Sequence, residues 1–127
     1  MPLVRIDLVR GKSAQFRKTL GEIVYDAMVD LISVPKDDKF QVITEHASED
    51  LNFADTYLGN HYSKDIIFIQ ITLSSGRSIE QKKALYKRIV DDLQAKLNAR
   101  PDDVFINLVE VAKENWSFGH GIAQYVT

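Results

Sequence analysis

Proline at position 2 stands directly ahead of the alternating stretch Leu3-Val4-Arg5-Ile6-Asp7-Leu8-Val9. An initiator methionine followed by proline is normally trimmed, which would leave a secondary amine on a rigid ring as the chain terminus. An α-amino group titrates at roughly 7.7–8.0. Burial lowers that value and a nearby carboxylate raises it, so such an amine can serve as general base or general acid near neutrality. Met-Pro starts are common, and on its own the feature says little. It gains weight from what the rest of the chain lacks. There are no cysteines, which removes disulfides, thiolate metal sites and cysteine nucleophiles. His46, His61 and His120 lie far apart and lack ligand spacing, so no metal is expected. The glycines of Gly119-His120-Gly121 are not followed by a helical pattern, and no serine nucleophile motif is present. No cofactor is expected.

Bulk properties fit an ordinary soluble domain. The 127 residues suit one domain. An apolar content of 45% can build a core, and 27% charged residues with a net charge of −2 make an ordinary surface. No basic stripe points to nucleic acid. The longest apolar run, around Ile66–Ile71, is of strand length and far short of the roughly 20 residues that span a bilayer. The N-terminus lacks the basic and apolar blocks of a signal peptide. A cytoplasmic protein without nucleic-acid or membrane partners is expected.

The elements that must position the amine are legible from periodicity. Val4, Ile6 and Leu8 alternate with Arg5 and Asp7, a strand beginning almost at the first residue. Ser13 is a helix N-cap candidate, and Phe16, Leu20, Ile23, Val24, Ala27 and Leu31 form one helical stripe. Ser33-Val34-Pro35 stops that helix, and residues 39–46 read as a second strand. Residues 47–64 are polar and irregular, a functional loop or a short extra element. Ile66–Leu73 is nearly continuous in apolar residues, as a strand buried on both faces should be. Ser78-Ile79-Glu80-Gln81 is a capping box, opening a helix with its stripe on Leu85, Ile89, Leu93 and Leu97. Pro101 precedes a last strand, Val104–Val111, and residues 112–127 form a tail with Trp116, Phe118 and Tyr125.

The second half repeats the first with a shift of about 65 residues. The prediction is an α+β domain of two tandem βαβ repeats (about 2–46 and 65–111, joined by the 47–64 loop). They form a four-stranded mixed sheet with two helices on one face. The other sheet face would stay open, and oligomerisation is the economical way to cover it. The repeat places Pro2 opposite Ile67, at the start of a central strand, inside the sheet and away from a frayed end.

Taken together, these features resemble the tautomerase superfamily. They are the Pro start on a first strand, the paired βαβ units, the Val34-Pro35-x-x-Asp38 turn, and Ser75-Gly76-Arg77-Ser78-x-x-Gln81-Lys82. The closing Trp116-Ser117-Phe118-Gly119 is similar to the malonate semialdehyde decarboxylase group. The resemblance covers essentially the whole chain. It implies Pro2 as the protonated acid that polarises the carbonyl of a 3-oxo acid, Asp38 as its partner, and Arg77 as the carboxylate anchor. Trp116, Phe118 and Tyr125 would wall the departing carboxylate. A cation at the carbonyl oxygen stabilises the enolate left by loss of CO2, and an arginine fork suits a carboxylate. Position 75 is a departure: the group's pattern has a second arginine where this chain has Ser75, so carboxylate binding should be weaker or the substrate different.

Each assignment has a plainer competitor. Asp38 could simply start the second strand, with Asp37 an equally good structural candidate. Trp116 and Phe118 could be packing residues, and Tyr125 lies in a tail that could fray. The resemblance implies a homotrimer acting on a small oxo acid, by decarboxylation with an accompanying hydratase activity. The alternatives are a keto–enol tautomerase with Pro2 as general base, acting on a phenylpyruvate-like substrate, and a non-catalytic trimeric binding protein.

Overall fold

Alternation over Leu3–Val9 gives β1, and Val4, Ile6 and Leu8 are fully buried in the computed structural model, which covers residues 1–127. Ser13 caps α1 (Ala14–Leu31), its Oγ accepting from the Phe16 N–H at 3.0 Å. The inward face of α1 buries Leu20, Ile23, Val24, Ala27 and Met28. After the proline turn, β2 (Gln41–His46) runs parallel to β1. The segment at 47–64 holds a 3₁₀ turn at Ser48–Asp50 and a small antiparallel hairpin of β3 (Thr56–Tyr57) and β4 (Asn60–His61). The long apolar strand is β5 (Ile67–Ser74), followed by α2 (Ile79–Leu97) and β6 (Val104–Val111).

Helix α2 is opened by a complete capping box. Ser78 Oγ accepts from the Gln81 N–H at 3.1 Å, and the Gln81 side chain accepts from the Ser78 N–H at 2.9 Å. The helix closes on Asn98, which adopts the left-handed conformation at φ 54° that asparagine tolerates better than most residues. Leu85, Ile89 and Leu93 are buried as the stripe required.

The four-stranded sheet has the order β2-β1-β5-β6, with parallel outer pairs and an antiparallel centre. One core joins both helices to one sheet face. The α+β architecture of two βαβ units is as expected. Two details differ. The antiparallel centre pairs Leu3 with Thr72, so Pro2 lies toward the Ser74 end of β5, and Ile67 sits at the far end. In addition, β5 is buried on one face only: Ile67, Ile69, Ile71 and Leu73 are enclosed, whereas Phe68 is half-buried and Gln70 exposed. In a single chain the helices cover just one side of the sheet.

A buried charge fixes the start of β5. Asp103, 1% exposed, accepts from the Ser63 N–H at 2.7 Å, from the Ser63 hydroxyl, and from Arg100 at 3.1 Å. A carboxylate removed from water is tolerable only with such complete pairing.

Candidate active site

Because β1 is central, the chain start is enclosed by its neighbours instead of fraying. The Val4 N–H donates to the Phe40 carbonyl at 3.0 Å, and Pro2 is buried. The turn at Pro35–Lys39, where the Asp38 N–H donates to the Pro35 carbonyl at 3.0 Å, brings the Asp38 carboxylate to the Met1 α-ammonium. The two form a hydrogen-bonded ion pair. On the other side, the Ser74 N–H faces Met1 Sδ at 3.4 Å. Met1 thus spans the space between the end of β5 and the turn before β2.

The tail closes over this point. Trp116 stacks on Phe118 with ring centroids 5.5 Å apart and planes 14° from parallel, and Tyr125 meets Phe118 edge-on at 5.0 Å. The indole Nε1–H of Trp116 donates to Ser74 Oγ at 3.2 Å. Gln124 ties the tail to itself, accepting from the Phe118 N–H and donating to the Gly119 carbonyl, both at 3.0 Å. These contacts order a segment that composition alone left free to fray. Met1, Pro2, Leu3, Phe40, Trp116, Ser117 and Phe118 line a cavity of about 240 Å³, room for a small molecule.

The electrostatics extend to Tyr125. Burial holds its phenol above the ordinary 10.0, and the negative charge of Asp38 pushes in the same direction. The hydroxyl therefore stays protonated within electrostatic reach of Asp38.

Arg77 sits differently from the other candidates. Its Nε donates to the Ile32 carbonyl and its Nη1 to the Ser74 carbonyl, each at 3.1 Å. Position 77 precedes the α2 N-terminus, where a cation is unfavourable, but the guanidinium reaches back to the C-terminal carbonyl of α1, where a cation is favoured. Arg77, Ser75, Gly76, Ser33 and Gln81 line a separate recess of about 280 Å³. Nearby, Glu110 is held below its ordinary 4.5, first by its hydrogen bond from Lys82 at 2.7 Å and then by the charges of Lys82 and Arg77.

Pro2, Asp38, Trp116, Phe118 and Tyr125 therefore gather at one place, and Arg77 and Ser75 adjoin it across Ser74. Ser74, Ser117 and Phe40 were not foreseen as site residues; a serine ending a strand and a phenylalanine starting one have no distinguishing spacing. No group of three or more His, Asp or Glu side chains converges as metal ligands would, and no helix is long and apolar enough to cross a membrane.

Two family models, both described as tautomerase enzyme, match residues 38–119 and 2–61. A probable tautomerase of Bacillus subtilis (strain 168), YusQ, is 38% identical over 126 residues, covering 99% of each chain. The FG41 malonate semialdehyde decarboxylase, solved as inhibited by 3-bromopropiolate, superposes with a TM-score of 0.89 at 37% identity, covering 98% of this chain and 94% of that one. A second malonate semialdehyde decarboxylase structure gives a TM-score of 0.89 at 33% identity, covering 98% and 95%.

Proposed function

The chain belongs to the tautomerase superfamily and is an enzyme of it, and from that premise we propose that it decarboxylates a small 3-oxo acid with the amine of Pro2 as general acid. The observation that carries the proposal is the Asp38 carboxylate on the chain-start ammonium, at the mouth of an aromatic-walled cavity. Removal of Met1 would set the amine back by one residue, about 3.3 Å along a strand, to the proline that already lines the cavity. It would also vacate the space that the methionine side chain fills.

The chemistry follows from the charges. The secondary ammonium of Pro2, favoured by Asp38, donates to the carbonyl oxygen of malonate semialdehyde. The bond between the carboxylate carbon and C2 breaks, its electron pair forms the enol or enolate, and CO2 leaves. A proton taken up at C2 gives acetaldehyde, so each turnover consumes one proton. Trp116 and Phe118 exclude water from the breaking bond, which strengthens the attraction between ammonium and enolate oxygen. Arg77, with Nη2 making no hydrogen bond to protein, is the candidate carboxylate anchor, and Asp38 can orient a water for hydration of an unsaturated acid. Ser75 offers a hydroxyl where a second cation would bind more strongly.

One observation favours a second reading. Two of the Arg77 nitrogens are engaged by backbone carbonyls, outside the cavity of Pro2. A keto–enol tautomerase with Pro2 as a neutral base has less need of that arginine. We also propose a homotrimer, in which neighbouring chains cover the open sheet face that carries Phe40, Val42, Phe105 and Val109, each exposed by a third to a half.

The test is to verify by mass that Met1 is absent and to follow acetaldehyde formation from malonate semialdehyde by NMR. Efficient release that falls by at least about a hundredfold in Pro2→Ala, the lower range for losing a general acid, supports decarboxylation. Absence of release, with ketonisation of phenylenolpyruvate that requires a deprotonated amine, would move the assignment to the tautomerase.

A further inference from the structure

We propose that Ser74 is a positioning residue whose hydroxyl fixes the aromatic wall of the active site, an inference that rests on the reading of the Pro2 cavity as the reaction centre. Ser74 ends β5 on the sheet face that also carries Phe68, Gln70 and Thr72. Those three are half-buried or exposed, whereas Ser74 is only 8% exposed. Each of its polar groups meets a different part of the site. The Oγ accepts from Trp116 Nε1 at 3.2 Å, the carbonyl accepts from Arg77 Nη1 at 3.1 Å, and the N–H faces Met1 Sδ at 3.4 Å.

The Arg77 contact is made by the backbone and survives any substitution, and the Met1 contact leaves with Met1, so the side chain contributes one thing: an acceptor for the indole. Trp116 is half-buried, and a tryptophan N–H so placed usually finds a partner, the bond contributing about 1 kcal/mol net. Trp116 also stacks on Phe118, which in turn meets Tyr125 edge-on. Stacking fixes the distance between rings but resists sliding weakly. The hydrogen bond to Ser74 therefore sets the azimuth of the indole, and through Phe118 that of the whole wall. Its anchor point is the end of the same strand from which Arg77 hangs, so wall and cation keep a fixed separation.

Trp116 is the chain's single tryptophan, which gives a readout independent of turnover. In Ser74→Ala the indole Nε1–H resonance should shift and broaden, and kcat should fall about fivefold, the scale of one net hydrogen bond. Ser74→Thr, which keeps the hydroxyl, should restore both. In a Trp116→Phe background, where no N–H remains, Ser74→Ala should cost nothing further. An indole resonance unmoved in Ser74→Ala, or a full additional loss in the Trp116→Phe background, overturns the role. If malonate semialdehyde is not turned over at all, the proposed reaction falls, while the resonance measurement still decides the assignment of Ser74.

Discussion

At the scale of single residues, Asp38 does two things with one charge. It pairs with the chain-start ammonium, and its field helps keep the Tyr125 phenol protonated. Asp38→Asn should lower the Tyr125 pKa toward the ordinary 10.0 while burial, the larger cause, still holds it above. Alkaline difference absorbance against Tyr125→Phe would read the change; an unaltered titration would separate the two groups. The sign for stability follows. A phenol whose folded pKa lies above its unfolded value favours the folded state only below the unfolded value, and that contribution is lost as pH rises through the raised one. The half-exposed ring keeps it small. Met-Pro starts are common, so Pro2 drew attention only because the rest of the chain offers no other catalytic pattern, and Asp38 entered through the resemblance of the Val34-Pro35-x-x-Asp38 turn. Ser74 was not, since its role depends on which tail residue arrives at the end of β5. Arg77 entered through the resemblance, but its embrace of the α1 terminus depends on a tertiary contact that no spacing reports.

At the scale of elements, the helices announce themselves through their caps. Ser78→Ala removes one side of the α2 capping box and should cost about 1 kcal/mol. A lower urea midpoint with unchanged slope, measured at fixed protein concentration because assembly shifts apparent stability, would show it; no change would mean the Gln81 contact suffices. The β3–β4 hairpin stayed hidden for a local reason. Its two-residue loop is Leu58-Gly59, with φ of 49° and 86°. Such a turn is normally marked by asparagine or aspartate before glycine, and leucine at a positive φ disguises it. A mixed sheet was expected, but which strands form its antiparallel pair, β1 and β5, was not readable, because each βαβ unit fixes only its own parallel pair and the join between units is set by packing.

At the scale of the whole molecule, the sheet face away from the helices mixes apolar Phe105 and Val109 with polar Arg5, Gln70 and Asn107. Phe105, 41% exposed, touches only Phe68 among its aromatic neighbours, with centroids 5.3 Å apart. Phe105→Arg should therefore convert a trimer to monomers in sedimentation velocity; a wild-type monomer, or a variant that still assembles, would place the interface elsewhere. The repeat bears on capacity as well as on architecture. Shifted by about 65 residues, Asp38 corresponds to Asp103, Arg77 to Lys12 and Pro2 to Ile67. Lys12, Ile67 and Asp103 do line one cleft, of only about 80 Å³, at the opposite end of the sheet. Asp38 holds a chain-start amine, whereas Asp103 holds the Ser63 amide and the Arg100 guanidinium, so only the first aspartate has a partner that can gain or lose a proton near neutrality. Of the two equivalent strand starts, only the one at Pro2 lies beside a free α-amino group. Re-joining the termini and opening the backbone ahead of Ile67 would carry the α-amino group to the other end of the sheet, into a cleft that lacks the wall of Trp116 and Phe118.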